Sequence, residues 1–155
     1  MASYRDIEVP ELLVDDLRMY LGDLPELNRL IEGTELSDEK IRLAVRLFIG
    51  HFNNSPPPLE TKYGADNFPD PMLMFHGTGI ELLKMAGIVQ SRNFLNFNDG
   101  GVPVTVSDKA QDYLSWINNF FQTYIQDFQN TKVSLNAEEG FGYIDSPEAW
   151  FPDFI

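Results

Sequence analysis

The chain contains no cysteine in 155 residues. Disulfide bonds and thiol chemistry are therefore excluded, and synthesis in a reducing compartment is compatible with the composition. Histidine occurs only at His51 and His76. Neither has a metal-ligand partner one helical turn away, and no zinc-protease spacing or nucleophile elbow accompanies them. The adjacent acids Asp15-Asp16 and Glu138-Glu139 are not acid/base couples, because neighbouring helical residues do not face each other. Asp66, Asn67 and Asp70 supply oxygen donors beside prolines, but without an EF-hand pattern. Gly77-Thr78-Gly79 lacks the strand and spacing of a phosphate loop. No catalytic residue, metal or cofactor is expected, and the chain does not read as an enzyme. No run approaches the ~20 apolar residues that a membrane helix needs. The first six residues hold no apolar h-region, so no signal peptide is expected.

Positive charge is scarce as well. Eleven Lys and Arg face 24 Asp and Glu, for a net charge of −13. The excess sits at the two ends. Residues 1–39 hold 11 acidic and 3 basic side chains, residues 40–137 hold 8 of each, and residues 138–155 hold 5 acids and no base. Phosphate-mediated nucleic-acid binding is not expected without a basic patch. Two readings of the charge remain: a solvated surface, or a surface that faces DNA without adhering to it.

What is present is apolar and aromatic. The 43% hydrophobic content and 20 aromatic residues suffice for a core, and a chain of this size buries roughly 68–70% of its extended surface as one domain. Val9-Pro10-Glu11 opens a first helix with Leu12, Leu13, Leu17 and Leu21 as its stripe, ended by Gly22. Leu24-Pro25-Glu26 restarts a short helix through Leu27, Leu30 and Ile31, closed by Gly33. Ser37 caps a third helix whose inner face is Ile41, Ala44, Val45, Phe48 and Phe52, widened by Leu43, Leu47 and Ile49. Residues 53–71, with Pro56-Pro57-Pro58, read as a crossing arm or contact loop. A fourth helix runs from Pro71 to about Val89, with Leu73, Ile80, Leu83 and Ile88 inward and the small residues Gly77, Gly79 and Ala86 allowing close packing.

The last third is the most telling. Residues 94–106 alternate as a β-hairpin around the turn Asp99-Gly100-Gly101, with Pro103 marking an edge strand or bulge. A helix of about 28 residues, roughly 42 Å, starts at Ser107-Asp108 and runs to about Asn136. Its core stripe is Tyr113, Ile117, Phe120, Tyr124 and Phe128, beside Ala110, Leu114, Phe121 and Ile125. The apolar surface exceeds what one partner helix covers. Trp116, Phe121, Tyr124 and Phe128 are therefore candidate interface residues. Residues 137–155 read as an extended docking tail with Phe141, Tyr143, Trp150, Phe151 and Phe154 as anchors. The expected class is mainly α: a helical domain over 1–136 with a small hairpin and a long final helix, then the tail.

A helical front half, Arg92-Asn93, the Asp99-Gly100-Gly101 turn, Lys109, a long helix and a trailing segment together resemble virion structural proteins of tailed bacteriophages. More narrowly, they resemble the head-to-tail connector (adaptor, neck) proteins below the portal. The resemblance is architectural and is clearest over residues 10–52 and 72–136. It implies a helical bundle and a ring of about twelve copies around the DNA channel. It also implies portal and tail or further neck proteins as neighbours, and a C-terminal segment that docks on the portal. DNA would pass without specific binding, no membrane would be involved, and the protein would be made in the host cytoplasm and reside in the virion. The alternative from a different class is an acidic DNA mimic that inhibits a nucleic-acid-binding protein; its neutral middle and aromatic tail count against that. A small enzyme or metal-dependent regulator is a further alternative, disfavoured by the low histidine count and the missing motifs.

Overall fold

In the computed structural model, residues 4–28, 33–92, 96–99, 102–105 and 110–141 are described. The architecture is mainly helical: a short 3-10 turn (Tyr4–Asp6), α1 (Glu11–Leu21), α2 (Asp38–Asn54), α3 (Pro71–Arg92), β1 (Asn96–Asp99), β2 (Val102–Thr105) and α4 (Ala110–Phe141). The two strands pair antiparallel, with Asn96 opposite Thr105 and Asp99 opposite Val102. Asp99 ends β1, whereas Gly100 and Gly101 of the expected turn lie outside the described residues, as do Tyr143, Trp150, Phe151 and Phe154 of the expected tail.

The core is built around α2. Its period-3.6 pattern places Ile41, Ala44, Val45, Phe48, Ile49 and Phe52 inward, all at most 1% exposed. The rings of Phe48, Phe52, Phe68, Tyr124 and Phe128 meet with centroids 4.8–6.3 Å apart in tilted and edge-on contacts, the arrangement that aromatic quadrupoles favour. α3 crosses this cluster at Gly77, whose Cα lies directly beneath the Phe48 ring. The missing side chain thus admits a ring rather than a neighbouring backbone.

Several expectations are corrected. In α1, Val14 and Leu17 are buried while Leu12 is 72% exposed; leucine occurs on both faces, so its identity cannot choose the inner one. Ile88, expected inside α3, is 53% exposed. Residues 24–28 make a single turn, closed by Leu27 and Asn28 N–H groups on the Leu24 carbonyl, and not a helix. The 53–71 segment is no free arm. Leu59, Ala65 and Phe68 are buried, and the Asn53 amide both donates to the Tyr63 carbonyl (2.8 Å) and accepts from its N–H (3.0 Å). Within it, the Pro56–Pro57 peptide is cis. The final helix extends five residues into the expected tail, to Phe141. Glu139 explains this: its carboxylate accepts the backbone N–H groups of Glu60 and Thr61 at 3.3 Å and so holds the last turn against the loop.

By length and composition, one described helix is able to cross a membrane, contrary to expectation: Pro71–Val89, with mean hydropathy 1.2. Its apolarity is explained by position, because α3 packs against both α2 and α4. Thr78, 0% exposed on this helix, finds no hydrogen-bond partner for its hydroxyl among the described residues.

Gly77→Ala places a methyl group inside the Phe48 ring. Overpacking of this kind costs about 1–3 kcal/mol, and the expected result is a clear drop in the urea midpoint with an unchanged m-value. An unaffected midpoint would show that Phe48 leaves its place freely.

Candidate interaction surface

Two polar clasps fix the helices that carry the surface. The first begins at the end of α1. Gly22 adopts a left-handed conformation (φ 69°), and the Gly22 and Asp23 N–H groups close onto the Met19 and Arg18 carbonyls at 3.1 and 3.0 Å, a Schellman pattern. This turns Asp23 back beneath the helix. Its carboxylate accepts from Arg18 (2.6 Å), Asn28 (2.8 Å), and the Glu35 and Leu36 N–H groups (2.6 and 2.9 Å). Arg18 also reaches Asp38 in the first turn of α2 (2.5 Å) and the Leu36 carbonyl (2.9 Å). Ser37 sits at the N-cap of α2, but its side chain makes no cap bond. Burial opposes ionisation of Asp23. The two backbone N–H groups, the Asn28 amide and Arg18 outweigh it and hold the carboxyl below its ordinary range.

The second clasp closes the other end of α2. The last carbonyls of a helix lack intrahelical donors. Here Ser55 N–H takes the His51 carbonyl (2.9 Å), Lys62 the Asn53 carbonyl (2.7 Å), and Lys132 of α4 the Phe52 carbonyl (2.7 Å) together with that of Ser55. Lys132 is 0% exposed. Its ammonium lies 5.4 and 5.8 Å from the Phe52 and Phe128 ring centroids, so two rings and a helix C-terminus receive the charge. Burial, then the charge of Lys62, push its pKa below the ordinary lysine value.

Asn67 accepts from the Gly64 N–H and Asp70 caps α3 through the Leu73 N–H. No group of three or more metal-type side chains occurs among the described residues. His51 makes a tilted ring contact with Phe128, and His76 one with Tyr20. A cleft of about 190 Å³ between the end of α1 and α3 is lined by Leu21, Asp23, Gly79 and Leu82 among others, and its buried carboxylate is already spent on the first clasp.

The candidate interface residues of α4 divide. Tyr124 and Phe128 are 8% and 6% exposed and belong to the chain's own core, a correction that follows from their ring contacts with α2. Burial, then the negative charge of Glu81, raise the Tyr124 phenol. Trp116 and Phe121 remain outside, 60% and 38% exposed, together with Leu114 (59%), Ile125 (37%) and Val133 (59%). Phe141 closes α4. Sequence reasoning missed the surface of α1, where Leu12 and Met19 are 72% and 67% exposed; the signal was an apolar pair seven residues apart, opposite Val14 and Leu17. No family model, curated protein or solved structure matches this chain.

Lys132→Met keeps the length of the side chain and strands the Phe52 and Ser55 carbonyls. With about 1–3 kcal/mol for each unsatisfied buried group, denaturant unfolding should show a loss of about 2 kcal/mol or more. No loss would mean that water replaces the ammonium at no cost.

The Asp23 clasp carries a pH signature. Its folded pKa is depressed, so its stabilisation is complete above the unfolded value, about 3.9, and is lost as pH falls through the folded value. Asp23→Asn should lower stability at neutral pH by about 3 kcal/mol, the low end for breaking a buried pair, since Arg18 retains Asp38. The gap between wild type and variant should narrow below about pH 3.9. A gap independent of pH would mean that charge is not what Asp23 contributes.

Proposed function

We propose that this chain is a structural, non-enzymatic subunit of a ring at the head-tail junction of a tailed bacteriophage. The ring would have about twelve copies, with the portal above, tail or further neck proteins below, and DNA passing through without specific contact. The observation that carries this reading is the amount of large apolar surface left outside a well-packed core. Leu12, Met19, Leu114, Trp116 and Val133 are each more than half exposed. A monomer gains nothing from such residues, whereas a subunit with neighbours buries them. The helical class and long final helix agree with the connector resemblance. So does the acidic N-terminal region, where Asp15, Asp16 and Glu39 are exposed and suited to repel phosphates along a channel. The docking role belongs to residues 142–155, which hold Tyr143, Trp150, Phe151 and Phe154.

Electron-microscopic class averages of the mildly purified native complex should show a ring around a channel. A compact one-to-one complex with a basic partner would instead favour the DNA mimic. Truncation after Phe141, which preserves the Glu139 contact, should leave the melting temperature unchanged and abolish incorporation into the assembly. Normal incorporation of the truncated chain would end the tail-docking reading.

A further inference from the structure

Local physics works against the last turn of α4. Ala137, Glu138, Glu139 and Gly140 are all exposed, so burial does not keep them helical. Two acids sit where the partial negative charge of a helix C-terminus disfavours them, and the turn holds no base to offset it. Gly140 has a lower helix propensity than any residue but proline. A side chain at its position would meet nothing within 4 Å, so no close approach requires a glycine there. Helix ends of this kind are the first parts of a fold to open.

A second segment of the chain closes this one. Lys132 and Glu139 are seven residues apart, nearly two turns, and stand within about 20° of each other on one face of α4. Both grip the residues that follow α2. Lys132 donates to the Ser55 carbonyl, and Glu139 accepts the Glu60 and Thr61 N–H groups. Between them Leu135 packs against the core. A hydrogen bond from the Thr61 side chain, then the two backbone N–H groups, outweigh burial and hold the Glu139 carboxyl below its ordinary value. The two grips differ in setting. The Lys132 ammonium lies against the Phe52 and Phe128 rings, out of water. Glu139 faces solvent, where water competes for the same groups.

We infer that Glu139 is a releasable latch: it joins the last turn of α4 to residues 60–61, so that the two segments open and close together, and its release frees the root of the docking tail. Residues 137–141 gain about 9 Å of reach in passing from helix to extended chain. The anchors Tyr143, Trp150, Phe151 and Phe154 follow in the sequence. The role in docking rests on the tail-docking reading, whereas the latch itself does not.

Two substitutions bias the latch in opposite directions. Glu139→Ala removes the carboxylate and raises helix propensity, so any loosening of the turn comes from the lost contact. Gly140→Ala stiffens the turn in open space. Amide hydrogen exchange of the full-length chains is read over residues 136–141 and 58–63. In Glu139→Ala both segments should exchange roughly three- to tenfold faster, the effect of losing a modest hydrogen bond, with residues 41–52 unchanged. In Gly140→Ala both should slow, because coupling between two sites is reciprocal. Exchange over residues 58–63 that ignores either substitution would overturn the latch. Incorporation into the assembly then tests its use: Gly140→Ala should incorporate more slowly than wild type, and Glu139→Ala at least as fast. Equal rates for all three, or a loss with Glu139→Ala, would overturn the role in docking. Failure of the tail-docking reading itself is reported separately, by normal incorporation of the chain truncated after Phe141.

Discussion

The structure depends on how the buried end of α2 is satisfied. A helix that lays one face on an aromatic core gains packing from Phe48 and Phe52, but the final carbonyls on that side then lose access to water. An unpaired carbonyl in such a place costs more than a hydrogen bond yields. The chain meets this with Lys132, delivered from 77–80 residues away in sequence. One ammonium thereby couples the end of α2, the register of α4 and the rings of Phe52 and Phe128. The register of α4 in turn places Tyr124 and Phe128 against the α2 rings, whereas Leu114, Phe121 and Ile125 stay 59%, 38% and 37% exposed.

The opposite end of α2 is held in a complementary way. There the turn after α1 projects Asp23 into a set of donors, and Arg18 bridges to Asp38. This end is acidic and the other is basic, which matches the direction of the α2 dipole. The acidic excess of residues 1–39 therefore has two components. Asp23, Asp38 and Glu11, which pairs with Arg42 of α2, are structural, whereas Asp15, Asp16 and Glu39 are displayed. Net charge alone does not separate them, and only the displayed set bears on what α1 meets or repels.

The inner face of α2 was legible, because Ile41, Ala44, Val45, Phe48 and Phe52 impose a simple period; of the residues expected to widen it, Ile49 is buried but Leu43 is 39% exposed. α1 was less so: with Leu12, Leu13, Leu17 and Leu21 all available, hydrophobicity does not reveal that Leu12 faces out and Val14 in. In α3, apolar residues run around the whole helix, so Ile88 carried no signal of exposure. The end of α4 was misjudged for a different reason. Ala137, Glu138 and Glu139 are helix formers with no aromatic stripe, and what keeps them helical is a carboxylate caught by N–H groups 78 and 79 residues earlier. The proline segment was read as an arm because its few apolar residues, Leu59, Ala65 and Phe68, have no period at all.

By itself the sequence determined the mainly helical class, the absence of cysteine and the concentration of acid at both ends. These follow from composition and from local periodicity, which need no knowledge of neighbours. The tertiary structure alone decided which leucines and aromatics became core and which carboxylates became clasps. Those outcomes rest on contacts between residues far apart in the chain, where the alternatives are equal in hydrophobicity and differ only in what the fold brings beside them.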